Sequence, residues 1–319
     1  MSQQTYRQAR GGVDPVLTAV ARGYSNAELV GAALFPKVPV GVRAGQIIAF
    51  GLEDFRLYNT ARAPGQNTKR VQFGYGADKF ALVDHSLEGQ VPKELLQEGQ
   101  AYPGIDQSMM AVKRVQDIVD LGLEKEQADL ARDPKRYADS NKLVLAGSDQ
   151  WSDPDSDPIQ VVSDARAAVR AKIGRYPNTG VIGANVFEAL KRHPQIIDRI
   201  KYTGRDVPTV ELLSNLLEIP NLSVGKAIYS NGTGGADGDT FTDVWGNDVV
   251  MAYTDISTMQ DMGSPSYGYT YQLNDYPHVE IGYFEENAKS WFFPYTDARA
   301  PVIAGADAGF LIQNAVAQK

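Results

Sequence analysis

The stretch from residue 37 to residue 92 sets the hardest constraint on how this chain can fold. Val38, Val40 and Val42 alternate with other residues, and so do Val71, Phe73 and Tyr75, the two-residue period of half-buried strands. Between them runs a polar crest, Asn59-Thr60-Ala61-Arg62-Ala63-Pro64-Gly65-Gln66-Asn67-Thr68, whose Pro64-Gly65 step marks a turn. The pattern predicts a long two-stranded excursion. Two strands alone bury too little surface to be stable in water. The excursion must therefore lie on something else, and no segment of the chain is evidently reserved for it. A second copy of the chain is the economical partner.

Charge gives that idea a direction. The crest region carries Arg56, Arg62, Lys69 and Arg70 and no acid. No Lys or Arg lies between Lys226 and Lys289, where Asp237, Asp239, Asp243, Asp248, Asp255, Asp261, Asp275, Glu280, Glu285 and Glu286 accumulate. Both stretches can be plain solvated surface. The sharper expectation is that they meet when copies pack.

The remaining pattern is that of an α+β protein. Residues 1–36 show little periodicity and read as an extended arm, with a short amphipathic stretch from Val16 to Ala21. A long helix is predicted over 106–131, capped by Asp106 and stopped at Asp133-Pro134. Ile105, Met109, Val112, Val115, Val119, Leu123 and Leu130 fall on one of its faces. At 1.5 Å per residue it is about 38 Å long. After a polar break, a second helix starts at Pro158 with Asp157 as its cap and closes at Gly174. Strands (177–183, 222–230, 249–254) and helices (186–192, 210–217) then alternate, so 158–262 reads as an α/β unit. From Ser264 the chain is strand-rich. Ten of its thirty aromatic residues lie between Tyr267 and Tyr295, and they are expected to form one face of an antiparallel sheet covered by the long helix. The run 307–316 reads as an apolar strand.

Chemistry finds little to hold on to. The absence of cysteine excludes a disulfide framework, a thiolate metal site and a cysteine nucleophile. The first residues lack the apolar core of a signal peptide, and no run approaches a membrane span of about 18 apolar residues. None of His85, His193 and His278 has a metal-type partner at three or four residues. Asp153-Pro154-Asp155-Ser156-Asp157 echoes a calcium loop, but Pro158 stands where the turn glycine belongs and Asp164 where the glutamate belongs; helix capping is the simpler role. Gly232 to Asp239 lacks the Lys-Ser/Thr of a phosphate loop. Arg7, Arg10 and Arg22 of the arm could touch nucleic acid non-specifically or simply be solvated.

The order of parts resembles the major capsid proteins of tailed bacteriophages, a fold shared with encapsulin shells and the herpesvirus capsid floor. LFPKVPV (34–40) is similar to the start of the family's extended loop and ARAPG (61–65) to its crest. PNTGVIG (177–183), RHP (192–194) and IKY (200–202) resemble parts of the axial domain. VWG (244–246) and PSYGYTY (265–271) resemble the exit from it, and DAGFLIQNAV (307–316) the closing strand of the peripheral domain. The resemblance implies an α+β capsid fold with an N-terminal arm (1–36), an extended β-hairpin loop (37–92), a peripheral domain (93–157 and 264–319) holding a spine helix (106–131), and an α/β axial domain (158–263). It implies no enzyme activity and no cofactor. It implies hexamers and pentamers closing into an icosahedral shell around double-stranded DNA, assembled in the host bacterial cytoplasm away from any membrane. Because no long helical prefix precedes the arm, a separate scaffolding protein is expected, with a portal and a decoration protein as further partners. Arg56, Arg62, Lys69 and Arg70 become the candidate contacts between subunits. Lys69 is the natural donor for the lysine–asparagine cross-link of some family members, with no acceptor to assign. Two alternatives stay open: an encapsulin-like nanocompartment, and an enzyme using carboxylates of the 237–286 stretch.

Overall fold

In the computed structural model, which describes residues 12–23, 26, 28–46, 61, 79–101, 106–201, 208–230, 240–255 and 266–317, the long helix forms where its capping signals place it. Asp106 accepts hydrogen bonds from the backbone N–H groups of Ser108 (2.9 Å) and Met109 (3.3 Å), and the helix runs over Gln107–Arg132. The crest of the excursion other than Ala61, the second valine-aromatic alternation, Ile105 and the glycine-rich run lie outside the described residues.

In chain order the elements are α1 (Pro15–Gly23), α2 (Gly31–Leu34), β1 (Lys37–Val40), β2 (Ala44–Gln46), β3 (Lys79–Ala81), β4 (Val83–Pro92), α3 (Lys93–Ala101) and the spine helix α4 (Gln107–Arg132). Then come β5 (Lys142–Val144), α5 (Pro158–Ile173), β6 (Thr179–Gly183), α6 (Ala184–Arg192), α7 (Pro194–Ile200), α8 (Val210–Leu217) and β7 (Asn221–Gly225). The chain finishes with β8 (Ile228–Tyr229), β9 (Thr242–Asp243), β10 (Val249–Ala252), β11 (Gly268–Leu273), β12 (His278–Val279), β13 (Tyr283–Glu285), β14 (Ser290–Ile303) and β15 (Gly309–Gln313).

Two main sheets result. The first is organised by β14, fourteen residues long. One side of it pairs antiparallel with β4 from Arg299↔Val83 to Ser290↔Pro92; the other takes β13, β12 and β11 in succession. β1 adds to β11 in parallel, so this sheet is mixed rather than purely antiparallel. Helix α4 lies on it, burying Val112, Val115 and Val119 against Val91, Val279, Phe293 and Tyr295. The second sheet has the order β5-β15-β10-β6-β7. Every residue of β6 and β10 is buried, as a sheet with both faces covered requires. Asp157 caps α5 through the N–H of Gln160 (2.9 Å), and Gly174 ends that helix in the left-handed conformation (φ 70°).

Four expectations need correction. First, the strand in 307–316 meets the C-terminal end of the spine helix but belongs to the sheet of the α/β unit. As β15 it enters the second sheet between β5 and β10, because Gly309 to Ile312 are buried throughout and only an inner position covers both their faces. β5, expected with the spine-helix layer, joins the same sheet. Second, the excursion is shorter than 37–92. β1 and β4 belong to the first sheet, and the described base of the hairpin is the antiparallel pair β2–β3. Third, the arm is docked from residue 12 onward. Leu17 and Ala21 of α1 fill the gap beside α4, while Leu34 and Phe35 enter the core of the second sheet. Fourth, the aromatic residues do not share one face. Phe293 and Tyr295 lie under α4, Tyr271 stacks on Phe80 (4.3 Å between centroids), and Tyr267 packs against Phe35 and Tyr137 in the other core.

Candidate functional site

The spine helix carries polar residues on its buried face, and these tie the molecule together. Glu124, 2% exposed, accepts from the N–H groups of Val30 (2.9 Å) and Gly31 (2.8 Å) and from Trp245 Nε1 (2.6 Å). One carboxylate thus joins the arm, the helix and the α/β unit. Gln127 Nε2 donates to Thr270 Oγ1 (2.9 Å), which donates to the Phe35 carbonyl (3.0 Å). One turn on, Arg132 Nε pairs with Asp248 (2.6 Å) and its Nη1 donates to the Val244 carbonyl (2.9 Å). The Val244-Trp245-Gly246 motif is therefore the seat of the helix's C-terminal half. Its tight fit explains two glycines. Gly246 has φ +55°, and a Cβ there would meet Arg132 Nη2 at 2.6 Å; a Cβ on Gly225 would meet the Trp245 ring at 2.1 Å.

Nearer the middle of the helix a buried charge cluster joins it to β14. Arg299, 1% exposed, pairs with Asp297 (3.1 Å), lies 3.8 Å from Asp120 and donates to the Val119 carbonyl (2.5 Å). Gln272 Nε2 adds a bond to Asp297 (2.7 Å). Burial holds the Asp120 carboxyl above the ordinary carboxylate range, with Lys37 and Arg299 opposing the shift. Sequence periodicity misses Gln116, Glu124 and Gln127, because it reads only apolar residues. The available signal was polar residues standing in the continuation of an apolar stripe.

The candidate chemical groups resolve into structural roles. His193 Nε2 sits 3.1 Å from Ser156 Oγ and 3.2 Å from the Asp153 carbonyl, fixing the loop before α5. Asp153 accepts from the Asp155 N–H, and Asp157 caps a helix. His85 lies 3.9 Å from Glu126, and His278 packs edge-on to Tyr276. Among the described residues no cluster of His, Cys, Asp and Glu could hold a metal ion, and no helix is long and apolar enough to cross a membrane. The described acids of the 237–286 stretch do not form one surface. Asp248 is buried in its pair with Arg132, Asp243 accepts from Asn185, and Glu285 and Glu286 stand exposed at the β13–β14 turn. The candidate contact residues Arg56, Arg62, Lys69 and Arg70 lie outside the described residues.

What the described surface does offer is an unfinished sheet. β4 pairs with β14 along one side and with no described strand along the other. Most of it is exposed, including Val83 (57%) and Leu87 (39%). Separately, the spine helix exposes Met110 and Ile118, the latter to 60%. A ten-residue edge unpaired among the described residues, with Val83 and Leu87 exposed on it, is a template for pairing with another chain.

Comparison with known proteins places the chain in a family. Residues 125–275 match the family model described as phage major capsid protein E. The major capsid protein of Burkholderia phage BcepMu is 40% identical over 306 residues, covering 95% of this chain and 96% of that protein. The crystal structure of a phage-related protein from Bordetella bronchiseptica has 41% identity and a TM-score of 0.82, over 96% of this chain and 98% of that one. A chain of the satellite phage P4 procapsid that includes the size determination (Sid) protein shares the fold at 12% identity, with a TM-score of 0.52 and 98% of each chain covered.

Proposed function

We propose, from the premise that this chain belongs to the phage major capsid proteins and is a structural shell protein rather than an enzyme, that its copies form hexamers and pentamers closing into an icosahedral shell around double-stranded DNA. The observation that carries the proposal is the open edge of β4 with its exposed aliphatic neighbours. A second copy laid there removes an unpaired strand edge and apolar surface from water at once.

On this reading residues 1–36 are the arm, 37–92 the extended loop with its projecting part between β1 and β4, and 158–263 the axial domain. Residues 93–157 and 264–319 make the peripheral domain, lending β5 and β15 to the axial sheet. The crest residues Arg56, Arg62, Lys69 and Arg70 rest on acidic surface of the adjacent copy. A suitable surface exists where Glu88, Glu285 and Glu286 stand exposed near Glu94, with Lys93 and Lys289 at the same corner. A separate scaffolding protein, a portal and a decoration protein complete the set of partners, and assembly takes place in the host cytoplasm.

Electron microscopy of the chain expressed with its scaffold tests the proposal: closed particles are expected. A folded monomer that persists with scaffold present overturns it. Reversing the four crest charges is expected to abolish particles while leaving the unfolding midpoint unchanged. Normal particles from that variant would remove the crest from the contact.

A further inference from the structure

The C-terminal end of α5 gathers arginines in an otherwise acidic chain of net charge −8. Arg166 and Arg170, one helical turn apart, both lie over the Tyr176 ring, at 5.1 and 5.3 Å from its centroid. Arg175 lies over Tyr253 at 5.1 Å and donates to its hydroxyl. Arg166 is neutralised by Glu218 at 2.6 Å. Among the described residues, Arg170 and Arg175 have no carboxylate within the 4.0 Å that defines an ion pair. Both are exposed, and Tyr176 remains 48% exposed with two guanidinium groups on it.

Part of this is ordinary helix physics. A helix C-terminus carries roughly half a negative charge, which cations in the last turn offset. Arg170 and Arg175 together exceed that charge, so the patch keeps a positive balance. The form of the cations matters as well. A guanidinium held over a ring is confined there while its remaining N–H groups stay available for two-point contact with a phosphate. A polyanion is repelled by most of a chain with net charge −8 and must touch it where cations outnumber acids.

We infer that Arg170, Arg175 and Tyr176 form a contact site for the phosphate backbone of duplex DNA, and that this end of the α/β unit faces the shell interior. The inference rests on the shell reading and adds to it the residues that meet the contents. Recognition is of backbone charge, without sequence preference.

The test measures binding of a short fluorescent duplex by the unassembled full-length chain across a salt series, with particle formation followed separately by microscopy. For Arg170→Gln/Arg175→Gln the slope of log affinity against log salt is expected to flatten by about 1 to 2, since each phosphate contact contributes about 0.9. Particles should still form. Arg175→Gln alone, at an exposed position after the helix, is expected to flatten the slope by about 1 and keeps the test open if the double variant does not fold. An unchanged slope, or a wild-type chain that binds no duplex at low salt, overturns the inference while leaving the shell reading intact. Loss of particles with an unchanged slope shows that the patch meets another copy, and also overturns it. Failure of the wild-type chain to form particles counts against the shell reading instead.

Discussion

The two sheets of this molecule solve the same problem to different degrees. In the β5-β15-β10-β6-β7 sheet the inner strands β6 and β10 are buried at every residue, and only the three-residue edge strand β5 exposes aliphatic side chains, Leu143 and Val144. The β14 sheet is covered by α4 on one face and, among the described residues, ends at β4, paired on one side only, with Val83 and Leu87 exposed. The sheet of the α/β unit holds the larger buried core. The β14 sheet, among the described residues, keeps a long unpaired edge at β4. On the proposed reading the next copy belongs at β4, because its unpaired edge is ten residues long against the three of β5.

The comparison can be broken at the seam between the sheets. Trp245→Ala removes a buried ring and leaves Glu124 without its indole donor; a loss of about 4–5 kcal/mol is expected, read by denaturant unfolding of the unassembled chain. If both sheets then melt in separate transitions, Trp245 is what makes them one cooperative unit. Arg299→Met should cost about 3 kcal/mol, because it strands Asp297 in the interior under the helix. Its effect should fall on the first sheet, visible as faster hydrogen exchange in β14 than in β6.

Milder changes sharpen the contrast. Leu87→Ser with Ile118→Ser should shift stability by no more than about 0.5 kcal/mol, as exposed sites do, while sharply lowering particle yield. Val181→Ser, a buried position in β6, should do the reverse: unfold the chain first and affect particles only through folding.

The smallest effects are those of pH. The Asp106 carboxyl is held below its usual range by hydrogen bonds, first from the Ser108 side chain. Its contribution is present above the unfolded-state value and is lost as pH falls through the folded one. Asp120 shifts the other way, chiefly by burial, so its contribution is present in acid and is lost as pH rises through the folded value. Asp120→Asn should therefore gain on the wild type as pH is raised, and Asp106→Asn should lose. Unfolding midpoints at acid and neutral pH check both signs.

What could be read beforehand follows from which forces leave a one-dimensional trace. Caps and apolar periodicity do, so the spine helix with Asp106 and α5 with Asp157 and Gly174 were legible. A strand buried on both faces has no facing pattern, so the strand in 307–316 was recognisable but its sheet was not. The arm was legible only as extended, because two short packed segments are too brief to show a period. Glu124 was invisible for a different reason: its three donors come from residues far apart in sequence, and no local signal carries them. The charged crest was legible as composition alone.

The order of strands along the chain has a consequence for biosynthesis. β14 bridges β4 to β11, and β15 bridges β5 to β10, so both sheets are stapled by strands translated after all the others. A nascent chain interrupted before residue 290 has the hairpin base and the spine helix but neither staple. Such a fragment cannot present a formed edge at β4, because that strand has no partner to define it. On the proposed reading, competence to join another copy at β4 waits until translation is nearly complete, and prematurely terminated products lack the formed edge through which a copy would join.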